Sequence, residues 1–386
     1  MFSRTALCAV LCTGAVSGAQ SAENAGQDAC APFSLSGYYK NLLQNSVTSF
    51  PAQQAYTLDL NRLHLELKGQ LNPALALELQ YDNELLLGSY LRTSQFELQK
   101  DVRPAQYWRA ESVYAESPDV YGRHRLYRAF ATLALGDTDL RIGRQRIAWG
   151  SGRFWSPLDI LNPISPIQLE REERPGVDAV LVEYILGEVS RLSAVYAPQR
   201  ASADGSAAVY WHGNRTGVDF SVVAGKFRGD RLIGTDIATQ VGSAGIRGEL
   251  TYTLPAGAKN YRRALIGADY AFANTLTVSA ELYYNGAGAS DPRVYDFTAL
   301  MTGRIQNVGQ RYLGVFASYE ITPLLKTNNY LVVNLHDGSR YLAPSLTYSV
   351  RTNIDWTIGL QSFSGNTTSE YGRVNNVYYT QLQWFF

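Results

Sequence analysis

Between residues 140 and 180 the chain reads LRIGRQRIAWGSGRFWSPLDILNPISPIQLEREERPGVDAV. Arg141, Arg144, Arg146 and Arg153 crowd its first part, and Asp159 follows. Glu170, Arg171, Glu172, Glu173 and Arg174 then form a charged cluster of mixed sign. Held around a narrow opening, such side chains sort solutes by charge without making or breaking a bond. Other chemistry is not signalled. The four histidines, His64, His124, His212 and His336, lack metal-ligand spacing. There is no Gly-x-Ser-x-Gly, no phosphate loop and no dinucleotide fingerprint. No Cys-x-x-Cys-His occurs, so no haem is attached covalently. His64 beside Glu66 is the one pair a hydrolase would use, and an ordinary wall histidine explains it better. Neither catalysis, a metal nor a cofactor is expected.

The arginines sit in a chain of strands. In 73–85, Leu75, Leu77, Leu79 and Tyr81 face one way and Glu78, Gln80, Asp82 and Glu84 the other. In 275–286, Leu276, Val278, Ala280, Leu282 and Tyr284 oppose Thr277, Ser279, Glu281 and Tyr283. This period-2 alternation recurs in about eighteen segments, or about sixteen if the weaker 206–213 and 230–240 are dropped. Short turns, as at Leu71-Asn72-Pro73 and Gly136-Asp137-Thr138, alternate with long connections at 86–123, 149–175, 198–205, 287–308 and 364–374. With eighteen strands both termini and these short turns share one side. An all-β, transmembrane antiparallel barrel requires that segregation. A sandwich does not, and in hydrocarbon only closure removes unpaired sheet edges.

Composition agrees. No stretch of eighteen consecutive apolar residues follows the leader, and a mean hydropathy of −0.17 suits strands whose alternate residues face water. Lysine plus arginine equals aspartate plus glutamate, which gives no sign of nucleic acid as a partner. Residues 1–19, with Arg4, an apolar run and Ser17-Gly18-Ala19, read as a secretory signal peptide. Residues 20–32 read as a disordered lead, and 33–386 as the barrel. Cys8 and Cys12 belong to the signal, which leaves Cys30 without an intramolecular partner.

Within that frame the arginine stretch has a problem of parity. Leu140 and Ile142 share a face, and Arg144 and Arg146 continue it. An arginine facing lipid costs about 2–4 kcal/mol at the bilayer midplane. A bulge near Gly143 is therefore expected to turn Arg144 and Arg146 into the lumen beside Arg141. Pro157, Pro163 and Pro166 forbid a regular strand or helix beyond. Trp149, Phe154, Trp155, Leu158 and Ile160 are too apolar for a solvated loop, so this segment is expected to fold inward and narrow the pore. The expected constriction is Arg141, Arg144, Arg146, Arg153, Asp159, Arg171, Glu173 and Arg174. The expected lumen wall includes Glu66, Lys68, Glu78, Arg128, Arg247 and Glu249.

Two resemblances add to this. The stretch carrying Gly143, Arg144, Gln145, Trp149, Gly150, Gly152, Arg153, Arg174, Gly176, Val177, Asp178 and Ala179 resembles the corresponding region of alginate-export type outer-membrane porins. That resemblance implies an eighteen-stranded barrel with an arginine-rich lumen favouring polyanions, whereas the lumen rows here are mixed in sign. The tail NNVYYTQLQWFF resembles the closing strand of Gram-negative outer-membrane barrels, which implies Trp384 and Phe386 as an assembly signal for the barrel-assembly machinery. The expectation is a channel of the cell outer membrane for small hydrophilic or anionic solutes, in contact with outer-membrane lipid and lipopolysaccharide. Polysaccharide export with periplasmic partners, and the sheath of a porin–cytochrome electron conduit, are the alternatives. A homotrimer is common among porins, but no interface is readable in the sequence.

Overall fold

Strands with one apolar and one polar row can satisfy their backbones in lipid only if the sheet closes on itself. The computed structural model describes residues 33–102, 106–163, 165–169, 176–200, 204–301 and 305–386, and it shows that closure. The expected signal peptide and lead fall outside the described residues, as do Glu170 to Arg174, including Arg171 and Glu173. The first half of the sheet comprises β1 (Phe33–Val47), β2 (Ala55–Asn72), β3 (Leu75–Leu87), β4 (Glu111–Ser117), β5 (Val120–Leu135), β6 (Thr138–Gln145), β7 (Val177–Gly187), β8 (Ser190–Ala197) and β9 (Ser206–Arg215). The second comprises β10 (Val218–Phe227), β11 (Asp230–Val241), β12 (Ala244–Leu254), β13 (Tyr261–Ala271), β14 (Thr277–Asn285), β15 (Arg311–Thr322), β16 (Leu325–Asn334), β17 (Arg340–Arg351), β18 (Ile354–Ser364) and β19 (Val377–Phe385).

Pairing is antiparallel throughout, and β19 returns to β1, with Tyr38 opposite Phe385 and Asn45 opposite Tyr378. Gly37 and Phe386 exchange main-chain hydrogen bonds of 2.9 and 3.0 Å at this seam. One strand stands apart. β4 pairs only with β5, Glu111 opposite Arg125 and Ser117 opposite Val120. The same edge of β5 holds β6 lower down, from Leu135–Thr138 to Ala129–Arg144. β4 therefore patches the wall above the point where β6 leaves it. Nineteen strands less β4 give a barrel of eighteen. The weaker segments 206–213 and 230–240 are both present, as β9 and β11. The long connection 86–123 contains a short helix, α1 (Ser94–Gln99), and β4.

The outer rows carry the apolar side chains: Ile233, Ile266, Leu282 and Ile358 are each half exposed or more. In water a band of this kind would be unstable, and in a bilayer it is the lipid-facing wall. The fold is that of an outer-membrane β-barrel. Apolar packing inside the barrel comes chiefly from the segment between β6 and β7, described next.

Candidate functional site

The segment after β6 enters the lumen and lies flat against one side of the wall. Its first half packs Ile147, Trp149, Leu158 and Leu161 on inward apolar residues of β7 to β11, among them Leu181, Val195, Val223 and Phe227. Trp149 stacks on Tyr210, with ring centroids 5.0 Å apart. Phe154 and Trp155 reach further round, to Leu265, Tyr283, Tyr312, Val332 and Tyr341 on β13 to β17. Both tryptophans and Phe154 are buried.

Between these apolar anchors stand two carboxylates. Glu249 on β12 accepts hydrogen bonds from the amides of Ser151 and Gly152 at 2.7 Å, from Leu158 N at 3.1 Å and from Ser156 Oγ at 2.9 Å. Glu281 on β14 accepts from Arg153 N at 2.7 Å, Phe154 N at 2.9 Å and Trp155 N at 3.5 Å. Polar wall groups thus satisfy the amides of a loop that has no ladder of its own, as buried backbone requires. Glycine is needed at two points. Gly150 has φ +99, and a Cβ on Gly152 would come within 1.8 Å of Trp155 O. Beyond the loop, Arg247 bridges Asp269, at 2.7 Å through Nη2, and Glu281, at 2.9 Å, while Arg153 reaches Asp269 at 3.0 Å.

The loop covers the inner face of roughly β7 to β17. Among the described residues the loop's apolar anchors do not reach the arc from β19 through β1 to β6. The inward rows of β1 to β6 carry charged residues, several of them buried. Arg62, Arg123 and Arg125 all bond Glu84, at 2.6, 2.6 and 3.0 Å. Asp82 meets His64 Nδ1 at 2.5 Å and Arg125 at 3.3 Å. Lys68 pairs with Glu66 at 3.0 Å, and Gln80 donates to both Glu66 and Glu78 at 2.8 Å. A cavity of about 490 Å³ opens beside this arc, lined by Tyr38, Lys40, His64, Glu66, Gln80, Arg128, Arg146 and Gln383 among others.

These positions sort the residues expected from sequence. Glu66, Lys68, Glu78 and Arg128 lie on the inward rows of this arc, and Arg146 lines its cavity. Arg141 is also inward, 3.8 Å from Glu183. Arg144 is a correction. No register shift occurs at Gly143 in the pairing of β6 with β5 or β7, so Arg144 keeps the outward row of Ile142. It is buried there, bonding Asp178 at 2.8 and 3.1 Å, Leu126 O at 3.0 Å and the carbonyl of Trp108. Trp108 N in turn donates to Asp178 at 2.8 Å. The guanidinium is a clasp that holds the segment leading into β4 against the wall. Arg146 reaches the lumen by another route than a bulge: β6 ends at Gln145. Arg247 and Glu249 are inward as expected but are buried beneath the loop, and Asp159 is buried within it. Arg153 stays exposed. Arg171, Glu173 and Arg174 cannot be placed among the described residues. Lys40, Arg62 and Glu84 were missed as site residues, although each has the inward parity of its strand, the signal that found His64 and Glu66.

No protein-family model and no curated protein sequence matches the chain. Solved structures do match in fold. Pseudomonas aeruginosa OccK7 (OpdD) superposes with a TM-score of 0.56 at 11% identity, over 92% of this chain and 99% of that one. The outer membrane protein opdK from the same organism gives 0.57 at 11% identity, over 92% and 98%. Pseudomonas aeruginosa OccK8 (OprE) gives 0.56 at 10% identity, again over 92% and 98%. At such identities the likeness concerns architecture: this chain has the closed, eighteen-stranded barrel fold of outer-membrane porins.

Proposed function

We propose that the protein is a passive outer-membrane channel for small hydrophilic solutes, with a preference for anions. One observation carries this reading. The inward loop takes Glu249 and Glu281 out of the pore by spending their oxygens on its own amides. What stays in contact with the solute path is the β1–β6 arc. Its exposed and half-buried inward groups, with Arg146, are Lys68, Arg123, Arg125, Arg128 and Arg141 against Glu66, Glu78, Glu111 and Asp139. Lys40, Arg62, Asp82 and Glu84 are buried in the wall. Cations are in excess, and a narrow path walled by one sign of charge concentrates the opposite ion. Solutes cross by diffusion along this arc. A bulky cargo, whether a polysaccharide or a haem-bearing partner, would need the space that the loop occupies. Trp384 and Phe386, on the outward row at the β1–β19 seam, are the proposed signal for the assembly machinery.

Bilayer recording tests the proposal. In a potassium chloride gradient the purified barrel should give a reversal potential of anionic sign. Lys68→Glu, Arg128→Glu and Arg146→Glu combined should move it toward cations. No conductance, or a reversal potential unmoved by the triple reversal, would remove the proposal.

A further inference from the structure

On the outside of the barrel, each descending strand from β11 to β17 opens with an arginine on its outward row. These are Arg231 on β11, Arg262 on β13, Arg311 on β15 and Arg340 on β17, and all four are exposed. Lys226 on β10, also exposed, lies directly opposite Arg231. Among the described residues none of the five has an ion-pair partner. Arg262 lies over the ring of Tyr252, 5.8 Å from its centroid.

The five form a level belt. Strands in a closed barrel are tilted, so a line at one height must step along each successive strand. Arg231 is opposite Leu254, but Arg262 is opposite Tyr252, two residues further down. Arg311 is opposite Tyr284, which is itself opposite Ala264, again two residues below Arg262. Arg340 is opposite Val333, which is opposite Leu313, two residues below Arg311. The stagger repeats without exception. Below each of the last three arginines the outward row reaches a tyrosine at the same interval: Tyr270, Tyr319 and Tyr348, all exposed. Between them lie Ile266, Val315 and Leu346. The interval from 262 to 270 spans about 27 Å along a strand, or about 20 Å of height at the usual tilt. The arginines and tyrosines therefore mark the two faces of the bilayer, with the arginines on the side away from the termini. Arginine stems can lie along the apolar wall while their heads reach the headgroups.

Like charges directly opposite in a sheet repel, and neither Lys226 nor the facing Arg231 is ion-paired among the described residues; the neighbouring Asp230 accepts from Ala256 N. From these observations we infer that the outward face of β10 to β17 is a binding surface for a phosphorylated glycolipid of the outer leaflet. The phosphates sit between the cations, and the acyl chains lie on the Ile266, Val315 and Leu346 rows. Alternate strands set the arginines roughly 10 Å apart, and arginine's planar fork suits phosphate oxygens.

The test uses the full refolded barrel in neutral detergent, with bisphosphorylated lipid A and its dephosphorylated form as probes. Binding is followed by native mass spectrometry and by titration of a fluorescent lipid A. The wild type should prefer the phosphorylated probe by at least tenfold. The variant Lys226→Gln, Arg231→Gln, Arg262→Gln, Arg311→Gln, Arg340→Gln should lose that preference while keeping its single-channel conductance, because the belt lies outside the lumen. Replacing the four arginines by lysine should keep most of the preference. Should the fivefold variant not fold, the double change Lys226→Gln, Arg231→Gln is expected to weaken binding about threefold. Equal binding of the two probes by the wild type overturns the inference, as does a fivefold variant that binds phosphorylated lipid A like the wild type. So does a belt whose loss abolishes self-association in lipid-free cross-linking and leaves lipid binding intact, since the surface would then serve a second copy of this chain.

Discussion

Substituting Glu249 examines how the inward loop is held. The carboxylate accepts three amides and one hydroxyl at 2.7–3.1 Å and is buried under the loop. Hydrogen bonds to a charged group contribute about 1.5–3 kcal/mol each, and they do not add fully. Glu249→Ala should therefore cost roughly 3–5 kcal/mol locally. Glu249→Gln keeps one acceptor oxygen but points a donor at other donors, and should cost about half as much. The single change will not expel the loop. Glu281 still holds Arg153, Phe154 and Trp155, and the apolar contacts of Trp149 and Leu158 remain. It should fray residues 149–153. About 3 kcal/mol corresponds to a factor of roughly 100 in opening, so hydrogen exchange at Ser151, Gly152 and Leu158 should quicken by about that factor. Open-channel current should become noisier at similar mean conductance. Glu249→Ala with Glu281→Ala should then raise the conductance outright. Unchanged exchange at those amides, with wild-type conductance in the double variant, would refute the anchoring role.

Two further changes separate structural charges from pore charges. Arg144→Gln should destabilise the barrel by about 3 kcal/mol, because it strands the partly buried Asp178. The loss would be read as a lower urea midpoint and earlier proteolysis at 106–110, and ion selectivity should not change; a shifted reversal potential would return Arg144 to the pore. In the loop after β18, burial raises the Glu370 carboxyl from the ordinary 4.5 to about 7. It accepts from Tyr312 Oη and Asn334 Nδ2 at 2.8 Å and from Val308 N at 3.3 Å, with Asp337 bonded to its own amide. Below pH 4.5 the group is protonated folded or unfolded, so it carries no penalty. As pH rises toward 7 only the unfolded form loses its proton, and stability falls by up to about 3 kcal/mol. The clasp joining three loops should be firmest in acid and loosen through neutrality. Glu370→Gln should flatten the profile, measured as intrinsic-rate-corrected exchange at Val308 and Glu370. Protection that grows with pH would contradict this account.

Much of the fold was legible because a barrel repeats one simple rule. Period-2 alternation located each wall strand, including the polar-looking β9 and β11, since every residue has only two faces to choose between. β4 escaped notice because its pattern is not a lipid-facing one. It exists only where β6 departs, and Tyr114 lies exposed on its outer side with the exposed Trp108 just before it. The inward loop was legible from apolar excess and proline, but its anchors were not. Glu249 and Glu281 look like any lumen carboxylate, and only three-dimensional proximity pairs them with amides about a hundred residues away. Arg144 misled because the parity argument assumed that an outward arginine must meet lipid. The segment before β4 and the neighbouring Asp178 supply a third environment, buried and hydrogen-bonded, that no count along one strand reveals.

The same chemistry therefore has three fates here, decided by strand end and cover more than by residue type. Outward arginines at the tops of β11 to β17 meet the headgroup region, where their exposure costs little. The outward arginine at the top of β6 is roofed over and becomes structural. Inward carboxylates under the loop are satisfied by backbone amides and, on the proposed reading, leave the solute path, while the exposed inward cations of the β1–β6 arc remain in it. The loop thus acts twice. It narrows the lumen by its bulk and, on the proposed reading, by engaging Glu249 and Glu281 it shifts the balance of charge left in the path. On that same reading, a barrel with this wall but without the loop's amides would present Glu249 and the Glu281–Arg247–Asp269 group to passing ions, and the excess of cations would shrink.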